Sequence, residues 1–77
     1  MAKSKLPTQL RELGGNIRRI RSSLDMTQER LAELADINVR SLRRIEAGQM
    51  NVLITTVARI RNALGCPWQE MMPPEWK

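Results

Sequence analysis

The sequence predicts an all-α domain of five helices and no strand, and three observations predict it. Apolar residues recur at the three- and four-residue spacing of a helix face, as in Leu10, Leu13, Ile17, Ile20 and Leu24 and again in Ile54, Val57, Ile60 and Leu64. There is no Phe or Tyr and there are two Trp, so the core has to come from Leu, Ile, Val, Ala and Met, a set that favours helices over strands. Glycine and proline punctuate the chain at helix-length intervals, at Gly48, Gly65, Pro67 and the pair Pro73 and Pro74. With 77 residues there is room for one domain, and a fold of this size buries roughly 60% of the surface its unfolded chain exposes.

In chain order, residues 1–8 are short, polar and carry Lys3 and Lys5, and read as a flexible basic N-terminal arm. Pro7 and Thr8 offer a helix start, and the apolar stripe from Leu10 carries a first helix to about Leu24. Gly14 and Gly15 weaken its middle, so its firm part is expected after them. Asp25 and Met26 connect it to the next helix. Thr27 caps that helix with its hydroxyl, Glu29 sits in the first turn where the helix dipole favours a carboxylate, and Leu31, Ala32, Leu34 and Ala35 line one face. The pattern breaks at Asp36, a residue type that tolerates the left-handed conformation of a sharp reversal. Asn38 then supplies a fresh cap, with Ile37 and Leu42 placed to close over it as a hydrophobic staple. The third helix runs from Val39 to about Ala47 and stops at Gly48, with Leu42 and Ile45 facing the core. Two short helices joined by so tight a turn make a helix-turn-helix. Gln49 to Asn51 lead out of it into a fourth helix striped by Ile54, Val57, Ile60 and Leu64 and closed by Gly65. Pro67 suits the first turn of a short fifth helix holding Trp68, Met71 and Met72. The domain thus spans residues 9–72, and residues 73–77 form a C-terminal tail.

Thirteen Lys and Arg against eight Asp and Glu give a formal charge of +5, which points toward a polyanionic partner. The single Cys66 excludes an internal disulfide and reads as a small packed residue rather than a ligand. The opening residues lack the apolar run of a signal peptide, and the longest aliphatic run, Val52 to Ile54, is far too short to span a membrane. A cytoplasmic protein is expected. With no His, no Gly-rich phosphate loop and no paired carboxylates beside a nucleophile, nothing suggests an enzyme, and no cofactor or metal is expected.

Taken together, Ile17, Arg21, the run Met26-Thr27-Gln28-Glu29-Arg30-Leu31-Ala32, Ile45-Glu46-Ala47-Gly48 and Ala63-Leu64-Gly65 resemble the lambda-repressor and Cro type of helix-turn-helix, also called the xenobiotic-response-element family. The resemblance runs from about Leu13 to Met72. It implies a compact five-helix bundle of lambda-repressor-like type whose third helix enters the major groove of double-stranded DNA. It also implies that Gln28 holds a phosphate and braces a reading side chain, and that Arg21 and Glu46 form a structural ion pair tying the first helix to the third. The sequence departs from the family pattern at Asp36, where Gly is usual, at Val52 and Leu53, where Pro and Ser are usual, and at the neutral Gln49, Met50 and Asn51, where basic residues often stand.

An arginine can grip guanine O6 and N7 with two parallel hydrogen bonds, which makes Arg40 and Arg44, one turn apart on the third helix, the candidates for base reading. Val39 is placed to meet a thymine methyl, and Asn38 serves as a cap first, with a base or phosphate contact in second place. Arg43 points away from that pair and suits a backbone phosphate, as do Thr27 and Gln28 at the start of the second helix. The plainer alternative for these arginines is a solvated charged face. The function expected is a sequence-specific transcriptional regulator, a repressor acting as a homodimer on a near-palindromic operator. Val52, Leu53, Trp68, Met71, Met72 and Trp76 are the expected dimer surface. The alternative is a protein-interaction module of the same fold, an antitoxin bound to a toxin or a coactivator-like bridging factor, that reads no bases.

Overall fold

The structure is a computed structural model and describes residues 5–76. Five α-helices follow one another, α1 (Leu6–Ser23), α2 (Gln28–Ala35), α3 (Val39–Glu46), α4 (Ile54–Leu64) and α5 (Trp68–Met71), and a 3-10 turn (Pro74–Trp76) ends the described chain. No strand occurs among the described residues. Their order and compact packing are those of the all-α bundle that the sequence predicts.

The ends of the first three helices are closed by one repeated device. Met26 N–H donates to Arg21 O and Asp25 N–H to Ser22 O, Ile37 N–H to Ala32 O and Asp36 N–H to Glu33 O, and Gln49 N–H to Arg44 O and Gly48 N–H to Ile45 O. These are three Schellman closures, each turning on one left-handed residue: Asp25 at φ 54°, Asp36 at φ 56° and Gly48 at φ 70°. Because each closure satisfies the orphan carbonyls of its helix within five residues, the chain reverses without a long loop. That keeps α2 and α3 locked as a pair.

α1 is one unbroken helix that passes through Gly14 and Gly15 and begins at Leu6. Leu6 to Thr8 are therefore helical instead of belonging to an arm, while residues 1–4 of the expected arm lie outside the described residues. The reason for the glycine at position 14 is tertiary. A Cβ there would lie 2.2 Å from Ile45 O and 2.6 Å from Glu46 O, so only glycine lets α1 cross the last turn of α3 at this distance. Gly15 has open space around it and makes no such demand. Gly48 meets two requirements, since it carries a positive φ and a Cβ would lie 2.7 Å from the Cα of Arg11.

The core gathers Leu13, Ile17 and Ile20 of α1, Leu31, Ala32 and Ala35 of α2, Leu42 and Ile45 of α3, Val57, Ile60 and Leu64 of α4, and then Cys66 and Met71. Four residues expected on apolar faces lie outside it, the first being Leu10, which is only half-buried on α1. Leu24 falls after the last turn of α1, Leu34 points away from the Leu31–Ala35 edge of α2, and Ile54 stands at the first position of α4, before that helix reaches the core, where it is 69% exposed. Met71 departs in the other direction. It was expected on a dimer surface and is fully buried, because α5 folds back on α1 and Asn16 Nδ2 donates to Met71 O at 3.0 Å. The expected C-terminal tail is also folded as far as it is described: Pro73 is buried and Glu75 lies 3.6 Å from Lys5 Nζ. Burial, followed by the charge of Glu70, pushes the Cys66 thiol above its ordinary pKa. No helix among the described residues is long and apolar enough to cross a membrane.

Candidate nucleic-acid interface

α3 divides into an inner and an outer face by its own periodicity. Leu42, Ile45 and Glu46 are buried, and Arg40, Arg43 and Arg44 are exposed. Its first turn is fixed by Asn38, whose Oδ1 accepts from Arg40 N–H at 2.7 Å. Val39 is half-buried and packs against the core, so only part of it remains at the surface. Together Asn38, Val39, Arg40, Ser41, Arg43 and Arg44 line a shallow concavity of about 400 Å³. Ser41 was not singled out from the sequence. It stands on the side of Arg40 and Arg44 opposite Arg43, where it also lines a hollow with Ile37, Ile45 and Met50, and only the packing of α3 shows which side of the helix it reaches.

The three arginines of α3 are in different states. Arg40 and Arg44 have exposed guanidinium groups that make no hydrogen bond or ion pair with any described residue. Arg43 is held sideways: its Nη2 donates to Glu29 Oε2 at 2.9 Å and its Nε to Gln28 Oε1 at 3.3 Å. The first turn of α2 thus reaches across to α3. Thr27 caps that turn, its Oγ1 accepting from Arg30 N–H at 3.0 Å.

Behind this face lies the ion pair of Arg21 and Glu46. Arg21 Nε donates to Glu46 Oε2 at 2.7 Å, Arg21 Nη2 to Glu46 Oε1 at 3.1 Å, and Arg21 Nη1 to Met26 O at 2.8 Å. Gln28 Nε2 adds a further bond to Glu46 Oε1 at 2.9 Å. A single chain of side chains, Arg21–Glu46–Gln28–Arg43, therefore joins α1, α3 and α2. It places a rigid support under the outer face of α3, since every member is fixed by at least one neighbour.

The two arginines beside Arg21 separate. Arg19 turns toward α5, its Nη2 3.4 Å from Glu70 O. Arg18 turns toward a polar cleft of about 310 Å³ that it lines with Arg21, Gln28, Arg43, Glu46 and Ala47. Among the described residues no group of three or more His, Cys, Asp or Glu is placed to hold a metal ion.

This arrangement, two short helices locked at a tight turn with the second presenting unpaired arginines on a braced outer face, agrees with the sequence comparison. Residues 17–71 match the model of the helix-turn-helix family, and the chain belongs to that family. It is a DNA-binding transcriptional regulator and not an enzyme. A solved structure with the same fold is the restriction-modification controller protein C.AhdI from Aeromonas hydrophila. It has 26% sequence identity and a TM-score of 0.81, and the match covers 84% of this chain and 98% of that one. No curated protein matches the sequence.

Proposed function

We propose that the protein is a cytoplasmic transcriptional repressor that binds a near-palindromic operator as a homodimer, each protomer laying α3 in the major groove. The observation that carries this reading is the pair of exposed, unpaired guanidinium groups of Arg40 and Arg44 on a helix whose opposite face is buried. An α-helix fits the major groove, and an arginine without an internal partner gives up no protein contact when it takes a guanine edge. Asn38 and Val39 flank these arginines at the helix start as further base contacts. Thr27, Gln28 and Arg43 lie where the strand backbone would pass, and serve phosphates. The likeness to a restriction-modification controller favours a restriction-control setting over that of an antitoxin or bridging factor.

Homodimerisation follows from reach. One eight-residue helix contacts only a few base pairs, so a specific site needs two half-sites about 34 Å apart and a two-fold protein to match them. The surface for it is offered by half-buried Val52 and by Leu53, which is 74% exposed, with Trp68, Met72 and Trp76, whose side chains line one further hollow. Trp and Met are residue types enriched at interfaces.

Selection of bound fragments from genomic DNA tests the reading. The wild-type protein should recover one two-fold sequence, and Arg40→Ala or Arg44→Ala should each relax one base position at a cost of about 1–3 kcal/mol on that site. Recovery of no common sequence by the wild-type protein overturns base reading and leaves the interaction-module alternative.

A further inference from the structure

Four exposed arginines have guanidinium groups that engage no other described residue: Arg18, Arg40, Arg44 and Arg59. Arg40 and Arg44 belong to α3, and Arg59 lies in α4, which contributes no residue to the α3 concavity or to the cleft beside it. Arg18 is the exception in position: it stands on α1, outside the helix-turn-helix, yet lines the cleft that α1 shares with Gln28 of α2 and with Arg43, Glu46 and Ala47 at α3. Arg43 also lines the concavity on α3, so the cleft opens along the edge of that concavity.

Charge within the cleft is distributed unevenly. Arg21 and Glu46 neutralise each other at its floor, with Glu46 also bonded by Gln28. Arg43 is paired with Glu29. Arg18 is left as the one uncompensated charge among the residues lining the cleft. A duplex whose major groove received α3 would carry its phosphates along the groove edges, and the cleft mouth borders the concavity on one such edge. A guanidinium offers a phosphate two parallel donors, and such a contact fixes the register of the protein on the duplex without reading sequence.

We infer that Arg18 is a DNA phosphate contact supplied by α1, acting beside the helix-turn-helix and orienting α3 from the cleft that it lines with the Arg21–Glu46 pair. The inference rests on the DNA-binding reading given above, and it names a contact that the motif itself does not contain. Neutralising one phosphate releases counterions, and each such contact contributes about 0.9 to the slope of log affinity against log salt.

The test is duplex binding measured between 50 and 200 mM salt for the wild-type chain, Arg18→Ala, Arg18→Lys and Arg59→Ala, with thermal unfolding recorded for each. Arg18→Ala is expected to weaken binding to the selected site and to random DNA by the same factor and to lower the slope by about 0.9 per protomer, with its unfolding temperature unchanged. Arg18→Lys, which keeps the charge, should retain the slope, and Arg59→Ala should behave as wild type. An unchanged slope in Arg18→Ala, or an equal loss in Arg59→Ala, overturns the assignment while leaving the DNA-binding reading intact. A wild-type chain whose binding to every duplex is flat with salt overturns both.

Discussion

The guanidinium of Arg21 and the carboxylate of Glu46 meet edge to edge, through two donors and both oxygens, where their side chains are only 13% and 3% exposed. Removing two charges from water costs much of what their attraction returns, so the value of this pair lies in fixing how α1 crosses α3. Glu46→Ala is expected to destabilise the fold by about 3–5 kcal/mol by leaving the Arg21 charge without its partner, whereas Arg21→Met combined with Glu46→Leu should cost far less. Urea unfolding of the three proteins checks this, and equal losses in the single and double variants would show that the pair does not act as a unit.

The neighbouring glycines of α1 should respond with opposite signs. Gly14→Ala drives a Cβ into the backbone carbonyls of Ile45 and Glu46, which cannot move aside as a side-chain tip can, and should cost about 1–3 kcal/mol or more. Gly15→Ala meets nothing and should stabilise by about 0.5–1 kcal/mol through helix propensity. Denaturant midpoints of the two variants settle the comparison; a loss at position 15 as large as that at position 14 would contradict the close approach.

Arg43 and Glu29 form an exposed pair, and such pairs contribute about 0–1 kcal/mol to stability. Glu29 nonetheless holds the guanidinium that is proposed for a phosphate. Glu29→Gln should leave the unfolding temperature nearly unchanged and raise affinity for all duplexes, by freeing Arg43 and removing a negative charge from the DNA-facing edge. Arg43→Ala should weaken all sequences similarly. If Arg43→Ala altered the selected sequence, Arg43 would be reading bases and the roles along α3 would have to be reassigned.

Dimerisation and folding can be separated by two substitutions in the last part of the chain. Leu53→Glu places a charge on an exposed position and should yield a folded monomer at micromolar concentration. Met71→Glu buries a charge in a core whose total stability is on the order of 5–10 kcal/mol, and should unfold the protein. Sedimentation together with circular dichroism distinguishes them, and a wild-type chain that stays monomeric on its operator would remove the dimer.

What the sequence determined by itself was everything settled within a few residues. Thr27 and Asn38 announce helix starts because their short side chains bring an oxygen within reach of the free amides just ahead, and both accept from them. Asp36 and Gly48 announce helix ends because a left-handed residue excludes most side chains, and the motif residues from Met26 to Gly48 carry the family resemblance in their order. Tertiary packing decided what no local pattern encodes. Gly14 looks like a flaw in a helix until α3 lies against it, and Met71 and Ile54 exchange their expected places because burial depends on where each helix meets the core. The arginines show the same division. Their number and their helices are legible in the chain, but Arg18 facing the cleft, Arg19 turning to α5 and Arg43 bound to Glu29 depend on partners up to 51 residues away, whose approach only the folded backbone establishes.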